Sequence, residues 1–95
     1  MNKDEAHEVL SECLKRYRER SYSELAAWVT EGRVDATEVI APSGTQYQLE
    51  VVFVWDAKPK ADVRVIASVD GGGMRALFPI SDDFIVNPKG QFVGE

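Results

Sequence analysis

Leu49, Val51, Phe53 and Trp55 fall on alternate positions. After the polar break Ala57-Lys58-Pro59-Lys60-Ala61, so do Val63, Val65, Ala67 and Val69. A period of two puts each set on one face of a strand. A hairpin across the break sets Trp55 opposite Val63, Phe53 opposite Val65, Val51 opposite Ala67 and Leu49 opposite Val69. A slip of one residue in the 57–61 loop would exchange the faces of the one strand relative to the other. The stretch therefore demands an antiparallel sheet with one apolar face, and a second layer to cover that face.

The first third of the chain can supply that layer. Ala6, Val9, Leu10, Cys13, Leu14 and Tyr17 follow helical spacing and predict an amphipathic helix over residues 3–19. Asn2 and Glu5 suit its start. Acids in the first turns and bases (Arg16, Arg18, Arg20) in the last match the helix macrodipole. A second, shorter helix follows. Ser21 and Glu24 form a capping-box pattern, Leu25, Trp28 and Val29 an apolar face, and Gly32 a left-handed stop.

From Arg33 onward four strands are predicted, at about 33–41, 45–56, 62–69 and 74–80. Ala41-Pro42-Ser43-Gly44 and Asn87-Pro88-Lys89-Gly90 both carry type I turn chemistry. The latter would join short strands at Phe84–Val86 and Gln91–Val93. The first strand has two candidate registers. A two-residue loop places Val34, Ala36 and Ile40 on the core face, but sets Asp35 opposite Glu50. A bulge at Gly44 shifts the pairing by one and removes that clash.

Asp70-Gly71-Gly72-Gly73 raises the question of a phosphate-binding loop. Such a loop needs a helix behind it to present free N–H groups. Met74, Ala76, Phe78 and Ile80 alternate instead, Pro79 opposes a helix, and no Gly-Lys-Ser/Thr follows. A two-residue turn at Gly71-Gly72 is the expectation. It pairs Val69 with Met74, Ala67 with Ala76, Val65 with Phe78 and Val63 with Ile80. The expected fold is thus a single α+β domain over residues 1–95: two N-terminal helices on a four-stranded antiparallel meander, with a C-terminal hairpin or extended tail.

Charge bears on partners. The net charge is −5. Residues 1–20 are balanced, so the remainder carries the deficit. An acidic body repels nucleic acid and anionic membranes at long range and is compatible with a basic partner. No apolar run approaches the ~20 residues that span a bilayer. One cysteine, Cys13, makes no internal disulfide. The polar start MNKDEAHEVL is unlike a secretory signal. The cytoplasm is the expected compartment.

Few residues suggest chemistry. His7 is the sole histidine, next to the apolar stripe of a helix, and reads as solvated rather than as a metal or triad member. Cys13 lies on the stripe. Arg16 one turn on would favour its thiolate, but the position favours a buried small hydrophobe. Arg16-Tyr17-Arg18-Glu19-Arg20 mixes bases and an aromatic as some nucleic-acid sites do, but its bases do not share a face. Asp82-Asp83, with Asp56 or Asp70, could meet a divalent cation. Ser81-Asp82-Asp83 reads more simply as a capped turn. Trp28 and Trp55 read as core. No cofactor and no catalytic residue is expected. The inner face offers few titratable groups, Glu38 and Tyr47 among them, and this counts against catalysis.

The outer sheet face is more informative. It is expected to carry Val52, Val54, Ile66 and Leu77, rimmed by Glu50, Asp56, Arg64, Ser68 and Arg75. An apolar centre with a polar rim is the pattern of an interaction surface. A protein partner or a second copy would cover it, unless the C-terminal tail does, and the tail is the preferred cover.

The pieces SYSELAAWV, PSGTQYQLEV, WDAKPKADVRVIASVDGGG and FPISDDFIVNPKGQFVG, spanning residues 21–95, resemble a family of small uncharacterised bacterial proteins. The resemblance implies a compact α+β domain and no activity. Two functional classes follow from the sequence. One is a small, soluble, non-enzymatic binding or protein-interaction module. The other is a small-ligand domain, catalytic or not, with a pocket between helices and sheet.

Overall fold

The computed structural model describes residues 3–71 and 80–95. Two helices, α1 (Lys3–Arg18) and α2 (Tyr22–Glu31), precede the strands β1 (Val34–Ile40), β2 (Gln46–Asp56), β3 (Asp62–Gly71), β4 (Ile80–Val86) and β5 (Phe92–Val93). The strands form one antiparallel sheet in the order β1-β2-β3-β4-β5. The helices pack on β2, β3 and β4 and leave β1 at the margin of the second layer. This is the α+β fold that the periodicities predict.

The central hairpin has the expected register, with Leu49, Val51, Phe53 and Trp55 opposite Val69, Ala67, Val65 and Val63. Of these, all but the half-buried Trp55 are buried. They meet Ala6, Leu10, Cys13 and Leu14 of α1 and Leu25 of α2 in one core. Each fully buried Val or Leu contributes about 1.5–3 kcal/mol, so this interface is the main source of stability. Tyr17, Trp28 and Phe53 extend the core with ring centroids 5.2–6.3 Å apart. At the other end Tyr47, fully buried, donates its hydroxyl proton to Oε1 of Glu5 at 2.8 Å. Ser43 donates to the same oxygen and ties the β1–β2 turn to α1.

The local signals at helix ends are realised. Ser21 and Glu24 form a reciprocal capping box, and Gly32 stops α2 at φ 69°. Gly44 takes φ 89° behind the Ala41–Gly44 turn, the bulge geometry that shifts β1 by one residue. Asp35 therefore faces Val51, and Glu50 faces Ala36. The shift has a second consequence. Val34, Ala36, Glu38 and Ile40 lie on the outer face, and Asp35, Thr37 and Val39 on the helix side. The inner-face reading of Glu38, and that of Val34, Ala36 and Ile40, is thus corrected, while Tyr47 does point inward.

The partner of β3 also differs from expectation. Val69, Ala67, Val65 and Val63 face Ile80, Asp82, Phe84 and Val86. The register implied by a two-residue turn at Gly71-Gly72 does not form. Gly71 itself lies in β3 opposite Tyr47, and Gly72 to Pro79 lie outside the described residues. So does most of the strand expected at 74–80. Phe84 and Val86 are each 3% exposed, so burying them against α1 drives β4 into place. Ser81-Asp82-Asp83 is strand, not turn. The acids are tolerated there because β5 pairs only with Ile85 and Val86, so that among the described residues no strand flanks Ser81–Asp83 on the outer edge, and because Arg64 on β3 reaches Asp83. Asn87–Gly90 makes the predicted turn into β5.

Candidate interaction surface

β-Strand alternation sorts the described outer-face residues into rows. Val34, Val52, Ile66 and Asp83 form one row across β1 to β4. Val54, Arg64, Ile85 and Val93 form the next, across β2 to β5. Val34, Val52, Val54 and Ile66 are neighbours on β1 to β3, and Arg64 stands between Val54 and Ile85 in the second row. Val34 is 54% exposed, and Val54 and Val93 are each 38% exposed. Val52, Ile66 and Ile85 are half-buried.

The tail does not cover this centre, contrary to expectation. Residues 80–86 and 92–93 lengthen the sheet sideways as β4 and β5. Their own apolar side chains divide between the faces. Phe84 and Phe92 stack edge-to-face on the helix side, with the Arg18 guanidinium 4.8 and 4.7 Å from the two ring centroids. Arg18 also pairs with Glu95 at 2.7 Å, fastening the chain end to α1.

The rim is acidic. Glu38, Glu50, Asp56, Asp62, Asp70 and Asp83 lie on outer-face positions of the described strands, against Arg64 as the one cation there. Arg64 is consumed within the surface. It bonds Oδ1 of Asp56 through Nε at 3.1 Å and Nη2 at 2.9 Å, and reaches Oδ2 of Asp83 through Nη1. The Asp56 bond first, then the Asp83 bond, hold its charge in place by raising its pKa. Glu38 accepts from Gln48 at 2.7 Å. A shallow hollow of about 410 Å³ opens between Ala36, Gln48, Glu50, Ser68 and Asp70, floored by small side chains and flanked by carboxylates.

Of the residues expected on this surface, Val52, Val54 and Ile66 are there, with Glu50, Asp56, Arg64 and Ser68 beside them. Leu77 and Arg75 lie outside the described residues. Val34, Ile85 and Val93 were not expected on it. Their signal was the Gly44 bulge for Val34, and for the other two the alternation of 84–86 with 92–93.

A second recess lies between the layers, lined by Cys13, Arg16, Tyr17, Trp28, Arg33 and Asp35 among others, with a volume of about 180 Å³. Its polar groups hold one another. Tyr17 donates to Oδ2 of Asp35 at 2.6 Å, and Arg33 donates to both carboxylate oxygens at 2.7 and 3.3 Å. The Arg33 guanidinium also lies 3.9 Å from the Trp28 ring centroid. Burial alone would raise the Asp35 pKa, but the bonds from Arg33 and Tyr17 outweigh it and hold the carboxyl below its ordinary range. Burial first, and the bond to Asp35 second, push the Tyr17 phenol up strongly. Burial raises the Cys13 thiol despite Arg16.

His7 is exposed. Among the described residues no cluster of three His, Cys, Asp or Glu side chains is placed to hold a metal ion. Among the described residues no helix is long and apolar enough to cross a membrane. Compared with protein-family models, curated proteins and solved structures, the chain matches none, so the likeness of residues 21–95 to small bacterial proteins gains no support and carries nothing into the reading of this surface.

Proposed function

We propose that the chain is a small non-enzymatic protein-interaction module, and that its outer sheet face docks a protein with a basic rim around an apolar centre. The observation that carries this reading is the pairing of a Val34–Val52–Ile66–Val54 centre, over which no helix or strand of the described residues packs, with a rim of carboxylates. Apolar contact would supply affinity, and the acidic rim would steer and select a basic partner. A face-to-face dimer of this chain is disfavoured, since it would oppose carboxylates to carboxylates. A reducing compartment such as the cytoplasm suits a protein whose one thiol is buried and unpaired.

The alternative, a small-ligand or catalytic pocket between helices and sheet, has weaker support. The recess between the layers is about 180 Å³, below the ~300 Å³ of ordinary small-molecule sites. Its acid, phenol and guanidinium already satisfy one another.

A phage-displayed peptide library selected on the purified protein tests the proposal. The expected products combine apolar residues with Lys or Arg. Their binding should weaken with added salt and be lost in Val54→Lys/Ile66→Lys. Peptides without basic residues, or peptides that bind the double variant equally well, would overturn it.

A further inference from the structure

We propose that two copies of the chain pair through β1, antiparallel and two-fold symmetric about Thr37, to make one sheet running through both molecules. The proposal concerns the edge of the sheet and does not rest on the docking role of its outer face, with which it shares Val34 and Glu38.

β1 is an edge strand of seven residues without proline, lysine or an internal bulge; of the devices that blunt an edge it carries two charges, Glu38, which accepts from Gln48, and Asp35, which Tyr17 and Arg33 hold on the helix side. Its free side is defined by the turn. Ala41 N–H bonds the Thr45 carbonyl at 2.9 Å, which fixes the alternation back along the strand. Asp35, Thr37 and Val39 turn their backbone groups to β2. Val34, Ala36, Glu38 and Ile40 turn theirs outward, where no strand of the described residues meets them. The helices pack chiefly over β2 to β4, and over β1 Tyr17 reaches Asp35.

The side chains select both the occupant and the register. Val34 and Ile40, at 54% and 70%, are the two most exposed large hydrophobic residues described. They lie at equal distances on either side of Thr37. An antiparallel pair centred there sets Val34 against Ile40 of the second copy, twice over, and Ala36 against Glu38. Every outward N–H and C=O of these four residues then has a partner. Centring on Glu38 would set carboxylate against carboxylate, and centring on Ala36 would leave Ile40 unpaired. A strand whose own sequence is complementary to itself, with its most exposed apolar residues in matching places, points to a second copy rather than to a foreign peptide.

Sedimentation equilibrium of the full chain, from micromolar to millimolar, reads the outcome. The expected mass at high concentration is twice 10.6 kDa. Ala36→Pro removes an outward N–H that β2 does not use, so it should give a monomer with an unchanged circular dichroism spectrum. Thr37→Cys gives an independent reading. Facing residues of a non-hydrogen-bonded antiparallel pair have Cα atoms about 4.5 Å apart, close enough for a disulfide. Under mild oxidation by diamide, Thr37→Cys should form a covalent dimer much faster than Glu38→Cys. A wild type that is monomeric throughout, a dimer that survives Ala36→Pro, or faster cross-linking at Glu38→Cys would each overturn the proposal.

Discussion

Tyr17, in the last turn of α1, donates its phenolic proton to Asp35 on the edge strand β1 across 2.6 Å. The bond spans the gap that the helices leave over β1. It joins a strand that buries little to a helix that buries much. Tyr17→Phe keeps the ring against Trp28 and Phe53 but removes the donor. Hydrogen bonds to charged groups contribute about 1.5–3 kcal/mol, and partial exposure places this one at the lower end. A urea melt should show that loss, with the far-ultraviolet spectrum preserved.

The same bond predicts a pH dependence. The Asp35 carboxyl is held below its ordinary range in the folded state. A depressed carboxyl contributes stability that is present above its unfolded pKa of about 3.9 and lost as pH falls through its folded value. The stability gap between wild type and Asp35→Asn should therefore be largest near neutrality and shrink below about pH 4. Urea melts of both proteins at neutral and acid pH measure it.

Helix α2 rests on its two ends. Ser21→Ala removes the capping box and should cost about 1 kcal/mol. Gly32→Ala meets no atom within 4 Å but must hold φ 69°, a conformation that costs an alanine roughly 1 kcal/mol. The two losses should add in the double variant, because the sites share no contact. Thermal melts of the three variants test this.

Cys13 is 4% exposed and its thiol is raised by burial. Ellman's reagent should label it slowly in the native protein at neutral pH and quickly in denaturant. Fast native labelling would mean that the α1–sheet interface opens readily.

Much of this fold was legible because its signals are local. The β2–β3 register follows from two uninterrupted alternations, and the caps of α2 from single residues at fixed spacing. The position of β4 was not legible, because residues 74–80 and 80–86 both alternate and Asp82-Asp83 mimics a turn. Only the burial of Phe84 and Val86 under α1 decides between them. The face of β1 hinged on one bulge at Gly44, and both outcomes were consistent with its composition. For the surface, Val52, Val54 and Ile66 were legible from alternation alone. The acidic rim was only half visible, since Glu38 and Asp83 reach it through the shifted β1 and the displaced β4. The Tyr17–Asp35–Arg33 link joins residues that only tertiary packing brings together, and no local pattern announces it.

The outer face is the central claim, and amide chemical-shift mapping with a library-selected basic peptide tests it most directly. Shifts should concentrate on outer-face positions of β2 and β3, at Val52, Val54, Arg64 and Ile66, and should diminish as salt is raised. Shifts centred instead on Arg16, Arg20 and Arg33, at the recess between helices and sheet, would contradict the account.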